Sequence, residues 1–326
     1  MNKKKILITG VAGFIGFSFA NYLCKKYKNI NIIGVDNLNS YYSTAYKKRR
    51  IKELVKNNNF IFKKIDLVNY KSLDKIFKKN KFYCVYNFAA QAGVRHSIKE
   101  PRNYINTNIV GFFNILELIK KYKISKLFYA SSSSVYGEKK VFPTSENDSL
   151  NPTNVYSLSK NFNEKIVSIY CNIHKIKAVG LRFFTVYGKW GRPDMFLFRI
   201  FYSILNKKTF ELNNSGNHKR DFTYIEDVNK ILDKLLNKQT RKPHTILNIC
   251  SGKTENILRI LNILKKENFF KVKKISRNAA DLLKTHGSNK KLLKFVGKYK
   301  FKKIDEVINE IFNWYKLNNI SKLVKK

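Results

Sequence analysis

Lys5-Ile6-Leu7-Ile8-Thr9 followed by Gly10-Val11-Ala12-Gly13-Phe14-Ile15-Gly16 decides the fold of this chain. The first five residues are an apolar run of strand length. The next seven place glycines at 10, 13 and 16, and the pattern then turns helical through Tyr27. Strand, glycine turn and helix in that order let a backbone turn sharply against a pyrophosphate, which the free N–H groups and dipole of the helix N-terminus stabilise. A second run, Ile32-Ile33-Gly34-Val35, ends in Asp36. A carboxylate there accepts hydrogen bonds from a ribose 2′-hydroxyl and repels a 2′-phosphate, so the expected cofactor is NAD and not NADP.

Working outward, the alternation continues. Phe60-Ile61-Phe62 reads as a third strand with Asp66-Leu67 at its exit, Cys84 to Ala90 as a fourth, Lys126 to Ala130 as a fifth and Ala178 to Phe183 as a sixth. Amphipathic helical segments separate them. One runs from Tyr104 to Tyr122, with Ile105, Ile109, Phe112, Phe113, Leu116 and Ile119 on its apolar face. Strands alternating with helices predict an α/β fold, a Rossmann-type doubly wound parallel sheet with right-handed crossovers. Past about residue 185 the rhythm changes. Asn206 to Asp221 reads as loop, Thr223 to Leu236 as helix, Thr245 to Cys250 as a strand and Ile304 to Tyr315 as a final amphipathic helix. The expected organisation is an NAD-binding domain at 1–184 and a smaller α/β C-terminal substrate domain at 185–326. Some chain is exchanged between the two, and the site lies in the cleft between them.

A chain of 326 residues, 44% hydrophobic, can bury a large core, which excludes disorder as its ground state. The net charge of +43, from 65 Lys+Arg against 22 Asp+Glu, raises nucleic acid or an anionic membrane as partners. The lysines are spread along the whole chain, however, and lack interleaved exposed aromatics and a recognised RNA-binding motif, so no specific nucleic acid is expected. A basic surface still attracts small anions, which suits a nucleotide-linked substrate. Cys24, Cys84, Cys171 and Cys250 stand singly in apolar stretches, as reduced core residues do, and no metal-ligand spacing is present. No apolar run reaches membrane-spanning length and Lys3-Lys4-Lys5 leads directly into a strand, so the expectation is a cytoplasmic enzyme without a membrane span.

The stretch from Phe128 to Lys160 carries the candidate chemistry. Ser131-Ser132-Ser133-Ser134 closes the fifth strand, and after a proline-marked loop Tyr156 and Lys160 follow, four apart and therefore on one helix face. An ammonium close to a phenol of reference pKa about 10 favours the phenolate and brings a general base nearer neutrality. The spacing alone says little, because Tyr22/Lys26, Tyr122/Lys126 and Tyr299/Lys303 share it. Only Tyr156/Lys160 lies a short loop past a serine run at the end of a buried strand, where open α/β sheets bind ligands.

Six stretches then carry a resemblance: Asp36-Asn37-Leu38-Asn39 with Tyr41-Tyr42; Ala89-Ala90-Gln91-Ala92-Gly93-Val94-Arg95; Ser131 to Gly137; Arg182-Phe183-Phe184-Thr185-Val186-Tyr187-Gly188; Trp190-Gly191-Arg192-Pro193-Asp194-Met195; and Arg220-Asp221-Phe222-Thr223-Tyr224. With these the chain resembles the extended short-chain dehydrogenase/reductase superfamily, and within it the UDP-glucuronate 4-epimerases. The resemblance implies an NAD-dependent nucleotide-sugar 4-epimerase that acts through a transient 4-keto intermediate, supplies surface polysaccharide synthesis and forms a homodimer through the helices near 104–122 and 156–174. It implies cofactor contacts from Gly10, Gly13, Phe14, Ile15, Gly16, Asp36, Asn37, Asp66, Leu67, Ala89, Ala90, Tyr156 and Lys160. Tyr156 would exchange the proton of the sugar 4-hydroxyl, Lys160 would lower its pKa, and Ser132 would bond the same oxygen. For the UDP-sugar it implies Arg220 on the diphosphate, Arg192 with Ser133, Ser134 and Thr185 around the sugar carboxylate, and contacts from Arg95 and Asp281.

There is one departure from the family pattern. Where the family has a proline- and glycine-bearing stretch before a ribose-binding aspartate, this chain reads Arg277-Asn278-Ala279-Ala280-Asp281, and only Asp281 matches. Three other activities are available to the same architecture. A dehydratase or UDP-glucuronate decarboxylase typically has an acid just before Val-Tyr-Gly, where Ser134 stands. A UDP-glucose 4-epimerase has no use for a carboxylate pocket. A non-catalytic RNA-binding relative is the remaining alternative, and it would leave Ser132, Tyr156 and Lys160 without a purpose.

Overall fold

The computed structural model describes residues 4–238, 240–277 and 281–324. The strands are β1 (Lys4–Thr9), β2 (Ile30–Asp36), β3 (Phe60–Lys64), β4 (Phe82–Asn87), β5 (Lys126–Ser132), β6 (Lys177–Phe183), β7 (Thr185–Tyr187), β8 (Phe210–Asn213), β9 (Lys219–Tyr224), β10 (His244–Ile249), β11 (Thr254–Asn256) and β12 (Val272–Ile275). Seven of them form one sheet in the order β10-β6-β5-β4-β1-β2-β3, parallel throughout. The fold is the doubly wound α/β architecture expected from the alternation. Its inner strands are buried on both faces, which is why they read as continuous apolar runs, whereas the edge strand β3 leaves Ile61 exposed. Ile6 and Ile8 face one core, and Leu7 faces the other.

Strand order reverses between β1 and β4, and the crevice opens at the carboxyl ends of those two strands. β4 stops at Asn87, so Phe88, Ala89 and Ala90, expected inside the strand, instead leave the sheet and line the cleft. Thr9 fixes the departure. Its hydroxyl donates to Asn87 Oδ1 at 2.6 Å and accepts from Ala89 N at 3.1 Å.

The second half of the chain is more strand-rich than its sequence suggests. The stretch expected as loop, Asn206 to Asp221, contains β8 and the start of β9. β8 has four residues and only Phe210 and Leu212 face inward, too short for alternation to stand out. Its partner β12 lies some sixty residues away. Thr223 and Tyr224, expected as helix, finish β9 by pairing with Val186 and Tyr187, and the helix begins at Ile225. The chain also crosses back. β10 pairs with β6 as the outer strand of the main sheet, and the Ile225–Leu236 helix packs on the Phe14–Lys26 helix.

The helix expected over Tyr104 to Tyr122 runs continuously from Pro101 to Lys121 but widens over Ile105–Gly111. Buried Asn108 explains the wide turn. Its side chain accepts from Gln91 N at 2.8 Å and donates to Gln91 O and the Ser159 hydroxyl, each at 3.0 Å, which bolts this segment to the floor of the cleft. Ile105 and Phe113 are left facing outward. The four cysteines are free and buried. Among the described residues no helix is long and apolar enough to cross a membrane.

Candidate active site

A cavity of about 1100 Å³ runs from the glycine turn to β8 and β9. That exceeds the roughly 300–1,000 Å³ of a single small-ligand pocket. All the residues singled out by sequence for cofactor, chemistry and substrate line it.

The cofactor wall is set by the backbone. Gly10 has φ +68°, and a Cβ there would sit 2.5 Å from Ala89 N. A Cβ on Gly16 would be 2.3 Å from Gly10 O. Only glycine allows the turn to pass this close to its neighbours. The Phe14–Lys26 helix opens on Gly13 with no side-chain cap and no acid in its first turn, which leaves its N–H groups free for an anion. Asp36 accepts from Ala12 N at 3.0 Å and Leu38 N at 2.8 Å. Burial raises its carboxyl above the usual range, opposed by Lys47, by those two amides and by Arg50. Asn37 Nδ2 donates to Asp66 Oδ2 at 2.8 Å, so the ends of β2 and β3 meet. This wall has the shape and free N–H groups that could hold a dinucleotide, Gly10 to Gly16 being able to border its diphosphate and Asp36, Asn37, Asp66 and Leu67 its adenosine end.

The catalytic wall is built by two elements. Ser132 ends β5 and caps the turn that follows, accepting from Ser134 N at 3.2 Å and from the Ser134 hydroxyl at 2.9 Å. The Val155–His174 helix starts at a capping box in which Asn154 accepts from Ser157 N at 2.9 Å and Ser157 Oγ accepts from Asn154 N. Tyr156 is thereby held in the first turn, with Lys160 one turn on. Burial raises the Tyr156 phenol, and the groups that lower it are the Ser132 hydroxyl and the Arg192 guanidinium. Lys160, expected from its spacing to act directly on Tyr156, instead donates to Ala130 O at 2.8 Å, and burial pulls it down to about 8 against the opposing Glu164 carboxylate. The i, i+4 spacing is satisfied, but a buried ammonium must bond whatever carbonyl lies in reach.

Behind Lys160 lies a network that the sequence did not single out. Arg182 grips Glu164 with Nε at 2.9 Å and Nη2 at 2.7 Å, the Ser131 hydroxyl donates to the same carboxylate at 2.5 Å, and Arg182 Nη1 reaches Tyr136 at 2.8 Å. The pair is almost fully buried and joins β5, β6 and the catalytic helix. Glu164 falls one turn beyond Lys160, and that spacing was its only signal.

On the substrate wall the structure adds partners that the sequence could not show. Arg192, facing Tyr156, forks onto Asp194 through Nε at 2.9 Å and Nη2, and the Tyr41 hydroxyl donates to the same carboxylate at 3.1 Å. Arg95 and Asp281, both expected on substrate, face each other across the cleft, with Arg95 Nε 3.1 Å from Oδ1. Arg220 donates to Leu283 O at 3.0 Å and also to Leu282 O; burial lowers it to about 10, with Asp281 opposing. Ser133, Ser134 and Thr185 line the same cavity as Tyr156 and Arg192. Lys47, Arg199 and His218 line it too, unmarked in a chain this rich in cations. Asn278-Ala279-Ala280, where the sequence departs from the expected pattern, lies outside the described residues.

A family model for the NAD dependent epimerase/dehydratase family matches residues 6–250. The chain belongs to that family. As a member it is an NAD-dependent enzyme, in keeping with the glycine cradle and Asp36 of the cofactor wall. It is 47% identical to the Staphylococcus aureus protein CapI over 235 residues, 72% of this chain and 70% of that one. It is 35% identical to a UDP-glucuronate 4-epimerase of Thermodesulfobacterium geofontis over 96% of each chain. Among solved structures it superposes on the UDP-glucuronic acid 4-epimerase of Bacillus cereus in complex with UDP-glucuronic acid and NAD, with TM-score 0.90 at 28% identity, over 96% of this chain and 99% of that one.

Proposed function

We propose that this family member interconverts UDP-glucuronate and UDP-galacturonate by NAD-dependent epimerisation at C4. The observation that carries the reading is that Tyr156 feels both the Ser132 hydroxyl and the Arg192 guanidinium, in a cleft that Ser133, Ser134 and Thr185 also line and that is continuous with the glycine cradle. When bound, NAD supplies the acceptor and donor of the C4 hydride. Tyr156 takes the 4-hydroxyl proton and later returns it, and Ser132 holds the same oxygen. Lys160, anchored on Ala130 O, would hold the cofactor ribose. Arg192 lowers the Tyr156 pKa, and its fork, held by Asp194 in the resting site, would turn to the sugar carboxylate when substrate binds. Restraint there matters chemically, because a 4-keto uronic acid is a β-keto acid and loses carbon dioxide readily. Arg220 and Arg95 serve the diphosphate end, and Asp281 the nucleotide ribose. The product would feed surface polysaccharide synthesis.

One observation favours a second reading, UDP-glucose 4-epimerase. Asp194 already neutralises the Arg192 fork, so a sugar without a charge fits the resting site. Incubation with UDP-glucuronate and UDP-glucose side by side, followed by proton NMR of the 4-position, separates the two. In the same proposal two copies pair through the Phe112–Lys121 and Val155–His174 helices, whose outward faces expose Phe113, Leu158, Phe162, Ile169 and Ile173. Light scattering should give twice the chain mass, and Ile169→Lys with Ile173→Lys should give one.

A further inference from the structure

Arg50 is fully buried on the Thr44–Leu54 helix, and its bonds go to three carbonyls and a phenol, none to a carboxylate. Burying a guanidinium that no carboxylate bonds directly, with Asp36 acting on it only through space, is costly, so the position serves something besides packing. Its Nη1 donates to Ala12 O at 2.8 Å and to the Tyr42 hydroxyl at 2.7 Å. Ala12 is inside the glycine turn, between Gly10 and Gly13. Its Nη2 donates to Trp190 O and, at 3.2 Å, to Gly191 O. Those carbonyls belong to the turn that immediately precedes Arg192.

The second turn is itself held in an unusual state. Trp190 has φ +63°, a region that bulky residues rarely occupy unless their surroundings impose it. The surroundings here are specific. Tyr46, one turn before Arg50, stacks on Trp190 at 5.6 Å and donates to Gly191 O at 3.2 Å, while Gly191 N donates to the Tyr315 hydroxyl at 2.7 Å. The Arg50 guanidinium lies 4.4 Å over the Tyr46 ring, so one helix face meets both turns.

We propose that Arg50 is a positioning residue that locks the glycine turn of the cofactor wall and the Trp190–Gly191 turn of the substrate wall into one unit, so that a ligand on either wall is felt at the other. The two walls come from opposite halves of the chain, and a planar fork with donors on two ends can bridge carbonyls that a single ammonium cannot. Coupling of this kind is reciprocal. The inference rests on the functional reading above, in that Arg192 is taken as a substrate contact.

The test is Arg50→Lys, which keeps the charge and removes the bridge. The expected result is a folded protein that releases NAD roughly tenfold faster and has a KM for UDP-glucuronate raised by a similar factor, the loss of a charge-assisted hydrogen bond. A folded variant within about twofold of wild type in both, or altered in only one, overturns the proposal. Should the variant not fold, backbone hydrogen exchange on the wild-type chain decides. Adding NAD to nucleotide-free protein should slow exchange at residues 188–192 as well as at 10–16, and protection confined to 10–16 overturns the proposal. The exchange result does not depend on the sugar, so it stands apart from a wild type that fails to turn over UDP-glucuronate, which would defeat the functional reading instead.

Discussion

Along the cofactor wall, each residue lies within a few positions of the strand end that places it: Gly10 to Gly16 after β1, Asp36 and Asn37 at the end of β2, Asp66 and Leu67 after β3, Ala89 and Ala90 after β4. Along the substrate wall, Arg95, Arg192, Arg220 and Asp281 come from four separated segments, and what each one touches is decided by a side chain or carbonyl from elsewhere. Backbone geometry shapes the first wall and paired charge shapes the second. A substitution on the first should therefore change what binds, whereas one on the second should change which sugar is preferred.

The largest effect is expected where the walls meet. Tyr156→Phe removes one phenolic oxygen and should lower kcat by ~10²–10⁴ with NAD still bound, since general acid–base groups contribute about that much. Near-normal turnover of the variant would remove Tyr156 from the chemistry. Arg192→Ala comes next. It should cost UDP-glucuronate roughly tenfold or more in kcat/KM, the worth of a hydrogen bond to a charged partner, and cost any residual UDP-glucose turnover much less. Equal losses on both sugars would mean that Arg192 serves the fold or the diphosphate, and the contrast between the walls would blur.

Smaller effects are expected for Asp36 and for pH. Asp36→Ala should narrow the preference for NAD over NADP in a titration of both, because like charge no longer meets the 2′-phosphate. An unchanged ratio would place the discrimination elsewhere. Lys160, held at about 8 in the folded chain against an ordinary value of 10.5, loses its proton as pH rises through about 8, so kcat/KM should decline on the alkaline side. Stability moves the other way. Between those two values the unfolded chain binds the extra proton, so the cost of burying this ammonium is present in full below about 8 and relieved above it. A pH–rate profile that stays level well past 8 would show that the charge on Lys160 is dispensable.

The same contrast explains what the sequence revealed. Gly10, Gly13, Gly16 and Asp36 were legible because the turn that needs them is local, and the parallel sheet followed from apolar runs that are buried on both faces. β8 and β12 were not legible, since each has four residues and finds its partner across some sixty positions. Asp194 escaped notice because nothing in Gly191-Arg192-Pro193-Asp194 says that the carboxylate turns back onto the guanidinium two residues before it. Asn108 widened a helix that periodicity had drawn as regular, by finding hydrogen-bond partners in Gln91 and Ser159 that only the folded chain supplies.

The most direct test of the account is proton NMR of the purified protein with UDP-glucuronate and, separately, UDP-glucose. The account predicts that UDP-glucuronate is converted to UDP-galacturonate, that UDP-glucose is converted poorly, and that both conversions vanish in Tyr156→Phe. Conversion of UDP-glucose at a rate equal to or above that of UDP-glucuronate would contradict it, and would show that Asp194, not the substrate, is the lasting partner of Arg192.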